Sequence, residues 1–139
     1  MKKPDRVAID FDGVIHKYSY GRGDGSIYDE PDISVLMGMS ELIKEGYIVF
    51  VHTARHPRKI KTWLNHQYPW FGSRAAKEGV GFPVAIIPKH DIHWREENIL
   101  GITNHKLGAV AYIDDRAIHF TGSWKKVLRA LEHHKKRTQ

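Results

Sequence analysis

The chain has 139 residues, 41% hydrophobic and 27% charged, which fits one globular domain whose core is large enough to do without disulfides. Cysteine is absent, which excludes a disulfide framework and a thiolate metal site. No apolar run reaches the length of a membrane span and no signal-peptide pattern is present, so a soluble, cytoplasmic protein with no membrane partner is expected, and its formal charge of +6 favours anionic partners without separating a nucleotide from a polynucleotide.

Residues 6–10 read as the first strand, a short apolar run that leads straight into Asp10-Phe11-Asp12-Gly13. In an extended segment residues i and i+2 project to the same side, so Asp10 and Asp12 stand together. Two such carboxylates repel and need a cation, a proton or a strong donor between them; a hard divalent cation such as Mg²⁺ suits oxygen ligands of this kind. Residues 13–30 are rich in glycine and tyrosine. Gly21-Arg22-Gly23-Asp24-Gly25 predicts a turn, with Ile15–Tyr18 and Ser26–Tyr28 pairing across it as a short hairpin. As a phosphate cradle this glycine run is weak, since no strand precedes it and no helix follows at once.

Asp32 is a good N-cap and Gly46 a good stop for a helix running to about Glu45, with Leu36, Met39, Leu42 and Ile43 facing the sheet. Strand two is expected over 47–51 and ends in His52-Thr53-Ala54-Arg55. Pro57 suits the first turn of a second helix, whose buried stripe is Ile60, Trp63 and Leu64. Residues 68–82, with Tyr68, Trp70 and Phe71, read as irregular, and 84–87 as a third strand. Lys89-His90-Asp91-Ile92-His93-Trp94 invites a metal reading, but its spacing matches no standard zinc site, and a surface loop beside the substrate is the stronger alternative.

Residues 95–107 are expected to lead through a short helix to Lys106. A fourth strand over 109–113 ends in Asp114-Asp115-Arg116, and 117–120 reads as a short fifth strand. Ser123 caps a last helix with Trp124, Val127, Leu128 and Leu131 on one face, followed by a basic tail over about 133–139.

Strands alternating with helices predict an α/β fold with a mostly parallel sheet. Asp10 and Asp114 can share one metal only if strands one and four are neighbours, with strand two on the other side of strand one. That arrangement makes a topological switch point, where a doubly wound sheet opens its crevice.

Asp10-Phe11-Asp12-Gly13, Thr53, Lys106 and Asp114-Asp115, in that order and each at a strand edge, resemble the motifs of the haloacid dehalogenase superfamily of phosphohydrolases. The likeness spans roughly Arg6 to Trp124, and Tyr112–Ile118 with Trp124 looks like the small, nearly capless members of bacteria and phages. The sequence departs from that pattern at Leu107, where a proline is common, and at Val14, where threonine is frequent. The resemblance implies a single Rossmann-like domain over 1–139 with strand order about 3-2-1-4-5, a flap at 13–30 and no large cap. It implies an Mg²⁺-dependent phosphomonoester hydrolase in which Asp10 is the nucleophile and forms an aspartyl phosphate. Asp12 would be the general acid and base, with its backbone carbonyl toward the metal. Thr53 and Lys106 would bind the phosphoryl group, and Asp114 with Asp115 would complete the metal shell, Asp114 being favoured as the direct ligand.

Lys89 rivals Lys106 for the phosphate role, Arg55 either binds substrate or braces Asp12, and Arg116 pairs with an acid to hold its loop. Read singly, Thr53 caps the following turn and Lys106 is solvated. The expected substrate is a small phosphorylated molecule, with a nucleotide or a nucleic-acid phosphate end in view; the oligomeric state is not indicated. The alternative is a nucleic-acid-binding module on the same fold, working through basic ends such as Lys135, Lys136 and Arg137.

Overall fold

The computed structural model describes residues 5–66 and 82–138. The irregular stretch expected from residue 68 falls, except for Phe82, outside them. Among the described residues the chain runs β1 (Arg6–Asp10), α1 (Ile33–Lys44), β2 (Ile48–His52), α2 (57–66), β3 (Val84–Ile86), β4 (Leu100–Thr103), β5 (Ala111–Ile113) and α3 (Trp124–Thr138). The strands form one sheet in the order β3-β4-β2-β1-β5, every neighbouring pair parallel.

The predicted neighbours of β1 are present. Asp10 lies opposite His52 of β2, and Ile9 opposite Ile113 of β5. Three expectations need correction. Residues 100–103 are a strand and not part of a short helix, and this strand enters between β3 and β2, so the predicted order 3-2-1-4-5 gains a strand on that side. Residues 117–120 form no strand, which leaves β5 as the sheet edge. The hairpin across 13–30 is absent too. Side chains take the place of a backbone ladder there: Ser19 N–H donates to Asp29 Oδ2 (2.9 Å), Tyr28 Oη donates to the Gly21 carbonyl (2.6 Å), and Tyr20 N–H donates to Tyr28 Oη (2.8 Å).

Strand alternation divides the core in two. Val7 and Ile9 of β1 and Val49 and Val51 of β2 face Leu36, Met39 and Ile43 of α1 and Ile60 and Leu64 of α2. Ala8, Ile48 and Phe50 point to the opposite face, where Ile87, Trp94 and Leu107 cover them. Parallel crossovers are right-handed, so a chain that reverses its direction of travel across the sheet must change faces. The steps β1 to β2 and onward carry α1 and α2 on one face. The returns from β3 to β4 and from β4 to β5 bring Trp94 and Leu107 over the other.

Gly101 is what lets Trp94 lie there: a Cβ at that position would come within 2.6 Å of the indole and 2.8 Å of Ile87. Asp32 caps α1 by accepting from Ser34 and Val35 N–H, as its position predicts. α3 begins after Ser123, whose Oγ accepts from Lys126 N–H (3.4 Å), and it continues to Thr138, so most of the predicted basic tail is helical. Its largest apolar side chains remain exposed, Trp124 at 67% and Leu128 at 49%, while Val127 is half-buried.

Candidate active site

Four strands deliver their carboxyl ends to one edge of the sheet. β1 brings Asp10 and Asp12, β2 brings Thr53 and Arg55, β4 leads to Lys106, and β5 leads to Asp114 and Asp115. The crevice lies beside the β1–β5 boundary, because the chain leaves β1 toward β2 and enters β5 on the opposite side.

Carboxylate oxygens of Asp10, Asp114 and Asp115 come within 4.8 Å of one another. The Asp10 carboxyl is raised to about 7, chiefly by burial and then by Asp114, with smaller pushes from Asp115 and Asp12, against the downward pull of the Phe11 N–H, which donates to Asp10 Oδ1 at 2.9 Å. A cluster of this kind is held against its own repulsion by the fold and would be relieved by a cation. Gly13 completes the cradle. Its φ is +90°, and a Cβ there would overlap the Asp115 carboxylate. A trio of hard oxygen donors with no nitrogen or sulfur suits Mg²⁺. Among the described residues no other group of three such side chains converges this way, and His90, Asp91 and His93 do not.

Asp12 is kept apart from that trio. Arg55 grips it from two nitrogens, Nε to Oδ2 at 2.8 Å and Nη2 to Oδ1 at 3.1 Å, while Nη1 donates to the Gly25 carbonyl. Arg55 therefore braces Asp12, one of the two roles expected of it. The second support is His16, which sequence reasoning passed over as part of a hairpin. It is wholly buried, with Nδ1 2.8 Å from Asp12 Oδ1. Its Nε2 accepts the Asp29 N–H at 3.1 Å, so the proton sits on Nδ1 and is donated to Asp12. The i, i+4 spacing from Asp12 to His16 was the available signal, and only the turn at 13–16, closed by Gly13 N–H to the His16 carbonyl (2.7 Å), makes it meaningful.

Thr53 is buried, and its Oγ1 accepts the Arg55 N–H at 3.0 Å, the turn-capping geometry; among the described residues its own O–H proton has no acceptor. Thr103 ends β4 in the same way, accepting from His105 N–H at 3.1 Å. Lys106 is exposed, with Nζ 5.4 Å from the centre of the Tyr112 ring. His52 is lowered chiefly by burial, with Asp114 pushing it up and Lys106 and His105 pushing it down. Lys89 follows β3, three strand spacings or about 14 Å from β1, and is the more remote lysine. Arg116 N–H donates to Asp114 Oδ1 at 2.8 Å and closes the loop, while its guanidinium lies 5.6 Å from the centre of the Tyr18 ring and, among the described residues, forms no ion pair with an acid.

Comparison with models of known protein families, with curated proteins and with solved structures gives no match.

Proposed function

We propose that the protein is a cytoplasmic, Mg²⁺-dependent phosphomonoester hydrolase of the haloacid dehalogenase type. The observation that carries this reading is the convergence of Asp10, Asp114 and Asp115 within 4.8 Å at the carboxyl ends of β1 and β5, with Asp12 separately gripped beside them. Phosphoryl transfer needs a positioned nucleophile, neutralised phosphoryl oxygens and a proton for the leaving group. Asp10 is the nucleophile. Its oxygen attacks phosphorus, the leaving oxygen departs, and an aspartyl phosphate is left on Asp10 until water cleaves it. Asp10, Asp114 and Asp115 would hold Mg²⁺, which when bound would supply positive charge that keeps Asp10 ionised and offsets its repulsion of the substrate.

Asp12 gives a proton to the leaving oxygen and later takes one from water, while Arg55 and His16 fix its orientation. Thr53 has one hydroxyl proton to offer a phosphoryl oxygen, and Lys106 adds positive charge from the β4 side. Phosphate release from an aryl phosphate, measured with and without Mg²⁺, tests the reading. Release that requires Mg²⁺ and disappears in Asp10→Asn supports it; release that survives either change refutes it.

A further inference from the structure

Beside the carboxylates, and sharing only Arg55 with them, lies a cleft of about 670 Å³ between the 13–30 loop and α2. We infer that this cleft binds the nucleoside part of the substrate and a second phosphate on it, so that the phosphomonoester cleaved at Asp10 is a nucleotide or the phosphorylated end of a nucleic acid. The inference rests on the hydrolase reading for its chemistry and on the cleft for its specificity.

Among the described residues the cleft has no acidic side chain in its lining, and its titratable groups are Arg55, His56, Arg58, Lys59 and His66. Arg55 is committed to Asp12. Arg58 and Lys59 are exposed, and among the described residues neither forms an ion pair. His56 Nδ1 accepts the Arg58 N–H at 3.2 Å, which leaves Nε2 as the donor. Trp63 lines the same cleft. The Phe11 ring meets it edge to face at 5.3 Å, so the indole is a fixed wall on which a base can stack. On α2, Lys59, Trp63 and His66 follow helical spacing toward the cleft; Ile60 and Leu64 are buried, and the half-buried Trp63 packs against their core while lining the cleft.

The volume suits a ligand of nucleotide size. An aromatic wall beside unpaired cations is the chemistry that recognises a base and a phosphate together. Inorganic phosphate would leave the indole unused.

The test compares wild type with the double variant Arg58→Glu/Lys59→Glu, both exposed positions outside the catalytic set. The substrates are an aryl phosphate, adenosine 3′,5′-bisphosphate and a terminally phosphorylated oligothymidylate. The variant should raise KM for the nucleotide substrates by about tenfold or more while kcat/KM for the aryl phosphate stays within about twofold. Preference for the bisphosphate identifies a free nucleotide, and preference for the oligonucleotide identifies a chain end; each carries the inference. An unchanged nucleotide KM, or an equal loss on all three substrates, overturns it.

If no substrate releases phosphate, the hydrolase reading has failed, and equilibrium binding of the bisphosphate reads the cleft alone. Weakening in the double variant but not in Lys125→Glu/Lys126→Glu on α3 then supports the cleft. No binding, or equal weakening in both, overturns it.

Discussion

Replacing Asp10 by asparagine should stabilise the metal-free protein at alkaline pH while destroying its activity. The folded protein holds the Asp10 carboxyl at about 7, against 3.8 for a free side chain. As pH rises the unfolded chain gives up this proton first, so between those values the folded state binds more protons. Stability then falls with rising pH across that window and stays lower above it. At about 1.4 kcal/mol per tenfold change in acidity, a fully sealed carboxyl would cost about 4 kcal/mol once ionised. Asp10 keeps part of its contact with water, which screens the neighbouring charges, so about 1–2 kcal/mol is expected at about pH 8. The asparagine amide oxygen can still accept the Phe11 N–H, so little else is lost.

The assay is thermal unfolding in excess chelator at about pH 4 and about pH 8, repeated with Mg²⁺. The variant should melt higher than wild type by about 3–8 °C at the upper pH. The two should converge at the lower pH, and Mg²⁺ should raise wild type more than the variant. A variant no more stable than wild type at about pH 8, or a difference that does not change with pH, would refute the electrostatic account of the trio.

Gly13→Ala should abolish phosphate release and cost about 1–3 kcal/mol in urea unfolding, because the residue needs φ of +90° and its Cβ would strike Asp115. His16→Ala should lower Tm, by about 2–4 kcal/mol of stability, since it leaves the Asp29 N–H without its acceptor and a void beside Phe11; kcat should fall as Asp12 loses a donor. Arg55→Lys should lower kcat on an aryl phosphate by about tenfold or more, because a lysine cannot reproduce the paired grip on Asp12. Trp94→Ala should cost about 3–5 kcal/mol by emptying the space over Gly101, yet leave KM unchanged at temperatures where the protein is folded.

The strands that carry the site announce themselves through uninterrupted apolar runs ending in polar groups: 6–10, 48–52 and 111–113 are all strands, and the pairing of β1 with β5 follows from asking which carboxylates must share a cation. β4 was hidden because Gly101 halves its apolar signal; the glycine is there for Trp94, 7 residues earlier in the chain, and nothing local to 100–103 records that contact. Trp94 itself sits in a polar stretch that reads as a surface loop, yet only 4% of it is exposed. The hairpin at 13–30 failed for a related reason. Tyr28 and Asp29 satisfy the loop with side-chain hydrogen bonds, and alternation patterns say nothing about those. His16 was legible only as a spacing from Asp12, and its role depends on a turn that brings the ring back beneath the carboxylate.

The central claim is a phosphoryl group carried on Asp10. Quenching turnover of an aryl phosphate in acid, reducing with borohydride and sequencing the peptides by mass spectrometry tests it directly. The account predicts homoserine at position 10, dependent on substrate and Mg²⁺, and at no other carboxylate. Steady phosphate release with Asp10 unmodified, or the label on Asp12, Asp114 or Asp115, would contradict it.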